Sequence, residues 1–222
     1  MFTASVLVAY CQMWLGYNTR YGWGCQGQLI TDSIIKTKTA QYPAHYDWAR
    51  IAELTGLIGK GYLLDCVGLI KGYYWGGVPG TGNIGKYNPV TDVDADSMYY
   101  RATVKGPINT IPELPGLCVQ MRGHIGVYIG NGYVIESTRH EVFGDGVVRT
   151  RLSDRPWQHW LRCPFISYEG GGVVEPWMVE AVQKARQMGI LTQDHSPLEV
   201  ITMATMCAML INFANALKSG KI

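Results

Sequence analysis

Apolar residues recur at helical spacing in the first part of the chain and at alternate positions in the middle. The pattern predicts helices over about 3–15, 31–41, 65–75 and 94–103. It then predicts strands over 117–121, 124–129, 133–138, 147–151 and 163–168. Along the second strand His124, Gly126 and Tyr128 alternate with Ile125, Val127 and Ile129, so the latter face belongs to the core. Helices followed by consecutive strands with tight turns read as α+β with an antiparallel sheet. The glycine-rich stretch 76–85 and the stretch from Pro107 to Pro115 read as surface loops.

Glu169-Gly170-Gly171-Gly172 reads as a flexible joint. It separates a unit over residues 1–169 from a small helical unit over 173–222. In the second unit Pro176 suits a first helical turn and Gly189 a helix stop. The following helix sets Met203, Met206, Leu210, Phe213 and Leu217 against Thr202, Thr205, Asn212 and Asn215. Such a helix packs one face and wets the other, which argues against a membrane span. Two helices make a marginal fold alone. The unit is therefore expected to dock on the first unit, on a partner, or on a second copy as a homodimer.

Composition narrows the class. Of 222 residues 47% are hydrophobic and 16% charged, as in a globular chain. The net charge of +2, with no Lys/Arg cluster, gives no electrostatic footprint for nucleic acid. The cysteines at 11, 25, 66, 118, 163 and 207 form no C-x-x-C pair, which argues against structural zinc and for buried, reduced thiols. The apolar stretch from Phe2 to Tyr10 has no basic residue before it and reads as a core helix rather than a signal peptide.

One cysteine stands apart. In Asp65-Cys66-Val67-Gly68-Leu69-Ile70 the thiol falls at a helix start, where free N–H groups and the helix dipole favour a thiolate. The hairpin from Gly123 to Glu136 carries His124 on its first strand and Glu136 on its second. A thiol, an imidazole and an orienting carboxylate are the parts of a cysteine nucleophile system. Glu136 depends on the turn. With a three-residue loop Gly130-Asn131-Gly132 it faces Gly126, on the same side as His124; with a two-residue turn it flips away. His140 is then the competing third member. The chemistry needs no cofactor and no metal.

These residues resemble the NlpC-type papain-like cysteine peptidases, bacterial and phage hydrolases of peptidoglycan. The family's Asp-Cys-Ser-Gly-Leu-Ile motif is matched by residues 65–70, and His-x-Gly-x-Tyr-x-Gly-Asn-Gly by His124 through Gly132. Tyr21-Gly22-Trp23-Gly24 matches the Tyr-x-Trp-Gly motif. The resemblance implies a papain-like fold, catalysis by Cys66, His124 and Glu136, and substrate contacts from Tyr21, Trp23 and Asp65. It departs at Val67, where relatives carry a serine that helps to bind a free N-terminal alanine, and at Glu136, where many carry histidine. The segment from Trp23 to Pro43 resembles an insertion of phage-lysin members. The second unit weakly resembles an S-layer-homology helix pair, which implies wall attachment. The expected activity is cleavage of a stem-peptide amide by a phage or prophage endolysin, made in the cytoplasm and released through a phage pore to act at the cell wall. The rivals are an N-acetylmuramoyl-L-alanine amidase and an inactive wall-binding module.

Overall fold

The computed structural model describes residues 2–168. The triglycine joint, the expected helices over 173–222, and the wall-binding and dimer readings attached to them lie outside the described residues. In chain order the elements begin with helix α1 (Ala4–Trp14), strands β1 (Thr19–Tyr21) and β2 (Gln26–Leu29), and helices α2 (Asp32–Gln41) and α3 (Trp48–Thr55). There follow β3 (Tyr62–Leu64), α4 (Cys66–Tyr74), β4 (Gly76–Val78), β5 (Asn83–Gly85) and α5 (Ala95–Arg101). The chain continues through β6 (Lys105–Pro107), β7 (Cys118–Met121), β8 (His124–Gly130), β9 (Tyr133–His140), β10 (Gly144–Arg151) and β11 (His159–Leu161).

The fold is mixed α+β. A six-stranded antiparallel sheet runs β10-β9-β8-β7-β11-β6, a three-stranded sheet runs β1-β3-β2, and β4 pairs with β5. Among the described residues, each of these five helices starts where a side chain caps it. Thr3, Thr31, Asp47, Asp65 and Asp94 each accept a hydrogen bond from the backbone N–H three residues on. Each such cap contributes roughly 1 kcal/mol.

Three apolar clusters hold these elements. The largest joins α1 and α4 to one face of the large sheet through Leu7, Trp14, Leu69, Ile70, Ile125, Val127 and Ile135. The opposite face, carrying Tyr128, buries Leu117, Val119 and Val134 under Trp157. The third cluster (Cys25, Ile30, Ile35, Tyr46, Leu54 and Leu63) belongs to the segment that carries α2 and α3.

The β8–β9 turn decides the position of Glu136. The turn itself is two residues, Asn131 and Gly132, both at positive φ (54° and 74°). Alone it would flip Glu136 away from His124. A bulge between Tyr128 and Gly130 restores the register, so that Val127 pairs with Ile135, and continuing that register sets Glu136 opposite Gly126. A Cβ at Gly126 would come within 2.7 Å of Val134 and 3.3 Å of the Glu136 Cβ.

Several expectations are corrected. No strand forms over 163–168: Pro164 has no N–H to donate, and the strand lies upstream at His159–Leu161. Only an isolated bridge joins Thr3 to Ser167. The stretch 76–85 contains the β4–β5 hairpin. Helix α3 and strands β1–β3 had no counterpart in the sequence pattern, because elements of three to eight residues are too short to display a period.

Candidate active site

Cys66 is the first residue of α4. The chain reaches it through β3, whose Leu64 pairs with Tyr21 of β1 in parallel register. Asp65 turns the chain into the helix: one carboxylate oxygen accepts from Gly68 N and the other from Gly24 N at 2.7 Å. Gly68 is required there, because a Cβ would fall 1.9 Å from the Cys25 carbonyl oxygen. That carbonyl accepts Asp65 N at 2.9 Å and ties the helix start to the segment before β2.

The Cys66 thiol is buried and lines the same groove as Tyr21. Burial and the neighbouring Asp65 carboxylate push the thiol up to about 12, against the opposing pull of hydrogen bonding from the Ile125 backbone and the Tyr21 side chain. This corrects the expectation of an acidic thiol. The helix start is present, but one of its N–H groups is spent on Asp65, and water that would solvate a thiolate is excluded. The resting group is a neutral thiol, so its proton must leave during attack. Burial likewise raises Tyr21 far above its ordinary range and keeps its hydroxyl protonated as a donor.

His124 begins β8, one residue before Ile125. Its Nε2 lies 2.6 Å from Glu136 Oε2, so Nδ1 is the ring nitrogen left for proton transfer. The indole of Trp157 lies nearly parallel to the imidazole, with ring centres 5.5 Å apart. Glu136 is fully buried, yet its carboxylate is saturated. Thr150 Oγ1 donates to Oε1 at 2.7 Å, and Arg155 Nη2 stands 3.2 Å from Oε2. Burial raises its pKa, but the bonds from His124 and Thr150 and the Arg155 charge outweigh that and hold Glu136 below the ordinary glutamate value.

A groove of about 320 Å³ borders Cys66. Tyr21, Trp23, Asp65 and Cys66 line it together with Gly123, the residue before His124; His124 and Glu136 are not among its lining residues. Asp92, Asp94 and Asp96 also line it; Lys71 reaches Asp92 at 2.7 Å. His140 lies elsewhere: it is exposed and accepts a hydrogen bond from Val142 N at 3.1 Å. The imidazole–carboxylate couple in the structure is His124–Glu136.

Sequence reasoning missed Thr150, Arg155 and Trp157. Thr150 pairs with Val134 across β9–β10, one diagonal step from Glu136, and was findable only once that register was known. Arg155 and Trp157 arrive on an irregular segment after β10 and carry no local signal. Among the described residues no group of three metal-ligating side chains occurs. The sequence matches no family model and no curated protein.

Proposed function

We propose that the chain is a cysteine hydrolase of peptidoglycan that cleaves an amide bond of the stem peptide through an acyl-enzyme. The observation that carries the chemistry is one groove lined by a thiol at a helix start and by Gly123, the residue before a carboxylate-bound histidine. In this reading His124 Nδ1 takes the Cys66 proton as Sγ attacks the amide carbon. Glu136 steadies the imidazolium that forms. The Tyr21 hydroxyl, in the groove beside Cys66, serves as a side-chain donor for the developing oxyanion. His124 then gives the proton to the leaving amine, which departs and leaves a thioester. Water, deprotonated by His124, attacks the thioester carbon and releases a carboxylic acid and the thiol.

The substrate class rests on the resemblance of residues 65–70 and 124–132 to the NlpC-type peptidases, and with it a papain-like fold. The carboxylates of the groove wall, outnumbering Lys71, favour a substrate portion with an amino group. Val67 offers no hydroxyl to fix that amine, so a strict demand for an N-terminal alanine is not expected. Residues 173–222 would serve as a wall-binding tether. Truncation near Glu169 is expected to spare activity on soluble muropeptides and to lower it on intact walls.

The experiment is digestion of purified peptidoglycan followed by mass spectrometry. New amino groups on a diamino acid or another stem residue support the endopeptidase reading. New amino groups on L-alanine with free lactyl carboxylates point instead to the amidase. Absence of any new amino group would leave only a binding module.

A further inference from the structure

The thiol and the imidazole sit on different parts of the fold. Cys66 follows the small sheet, while His124 and Glu136 belong to the large one. A partly buried ion pair joins the two parts at Tyr21. Arg50 of α3 is 2% exposed, and its guanidinium holds both oxygens of Asp145 on β10, at 2.6 and 3.2 Å. The same pair grips both peptide groups of Tyr21. Tyr21 N donates to Asp145 Oδ1 at 2.8 Å, and Arg50 Nη2 donates to the Tyr21 carbonyl. Glu53 accepts from Arg50 Nη1 at 2.7 Å, while the two bonds to the Tyr21 backbone come from Asp145 and Arg50 Nη2. Val147 N donates to Thr19 Oγ1 at 2.9 Å, and Ser137 Oγ donates to the Leu64 carbonyl at 2.8 Å. These contacts stitch β1 and β3 to the large sheet on either side of Tyr21.

We propose that Arg50 and Asp145 are positioning residues for the reaction: they fix the Tyr21 backbone and so hold its side chain in the groove it lines with Cys66, where its hydroxyl can bond the thiol, within the frame of the sheet that carries His124. A bidentate guanidinium–carboxylate pair is suited to this, because its planar fork defines an orientation that a single hydrogen bond does not. The segment carrying α3 thereby reaches the site although it supplies no residue that touches the thiol.

The inference rests on Cys66 as the nucleophile but not on peptidoglycan as the substrate. Its test therefore reads the thiol: the rate of Cys66 alkylation by iodoacetamide, followed by peptide mass spectrometry at fixed pH. Asp145→Asn is expected to slow alkylation about fivefold, the scale of one lost hydrogen bond to the sulfur. The sign discriminates, because mere removal of a nearby negative charge would speed thiolate formation. Glu53→Gln, which loosens the same arginine away from Tyr21, is expected to change the rate less than about twofold on the scale of a partly exposed pair. In a Tyr21→Phe background the Asp145→Asn effect is expected to vanish, because the hydroxyl it places is gone. Arg50→Lys, which keeps the charge and loses the fork, is expected to behave as Asp145→Asn. Thermal melts confirm that each variant is folded. Equal slowing by Asp145→Asn with and without the tyrosine hydroxyl, or equal slowing by Glu53→Gln, would overturn the proposal and reduce the pair to a structural ion pair. If thiol reactivity responds as expected while no wall fragment is released, the substrate reading fails and the positioning reading stands.

Discussion

Asp65 and Glu136 are both buried carboxylates, one next to Cys66 and the other bonded to His124, and their surroundings push them in opposite directions. Burial raises Asp65, and its two backbone N–H donors and the charges of Lys71 and Lys38 do not overcome it. Burial also raises Glu136, but there the bonds to His124 and Thr150 and the charge of Arg155 prevail. The difference lies first in the side chains at contact distance. His124 Nε2 stands 2.6 Å from Glu136 and Thr150 Oγ1 donates at 2.7 Å, with Arg155 at 3.2 Å, whereas Asp65 has backbone donors and Lys71 spends its ammonium on Asp92. Desolvation is answered by a charge at contact distance far better than by one further off. The two halves of the site follow suit: the thiol waits neutral beside an unfavourable charge, and the imidazole rests on a carboxylate held ionised.

The comparison breaks most completely at its reacting atoms. Cys66→Ala is expected to abolish release of wall fragments with little change in melting temperature. His124→Ala should cost about as much, since nucleophile and base act as a unit. Turnover on purified walls measures both.

Glu136→Gln removes the charge while keeping the shape. It leaves Arg155 buried against a neutral amide, and breaking such a pair costs about 3–5 kcal/mol of stability. Activity should fall by about a hundredfold, within the usual range for acid–base contributions. His140→Ala is the control and should stay near wild type. If His140→Ala were the severe variant, the His124–Glu136 assignment would be wrong.

Acid should separate the two carboxylates. The folded-state pKa of Glu136 is depressed, so its stabilisation is present above the ordinary glutamate value of 4.5 and is lost as pH falls through the lower folded value. Asp65 has a raised folded value, so it costs stability at neutral pH and that cost fades as pH falls through the folded value towards 3.8. Thermal melts from pH 7 to pH 3 should show Glu136→Gln starting lower than wild type and losing less on acidification.

The smallest effect sharpens the thiol side. Asp65→Asn removes a charge that raises Cys66 and sacrifices one backbone hydrogen bond. Alkylation of Cys66 should quicken by about threefold, a fraction of one unit of thiol pKa. In the unsubstituted protein the rate should keep climbing above pH 8 without a plateau near pH 6, as a thiol at about 12 requires.

Much of the frame was legible because the informative residues are local. Asp65 and Gly68 mark a helix start within four positions, and alternation along β8 separates Ile125 and Val127 from His124. Glu136 was legible only up to the turn: periodicity sets its face modulo one residue, and the bulge at Gly130 makes the choice. Arg155 was not legible, since it meets Glu136 from an irregular segment across the fold. Arg50 and Asp145 stand 95 residues apart, beyond any periodicity. The acidity of the thiol was misjudged for a related reason. A helix start is visible in sequence, whereas the exclusion of water around it depends on the whole core.

The central claim is that Cys66 attacks an amide of the wall peptide with His124 as its base. Mass spectrometry of fragments released from purified peptidoglycan, by the wild-type chain and by Cys66→Ala side by side, tests it most directly. The expected result is fragments with new amino and carboxyl ends and uncut glycan bonds from the wild type alone. The same fragments from a folded Cys66→Ala protein, or none from the wild type, would contradict it.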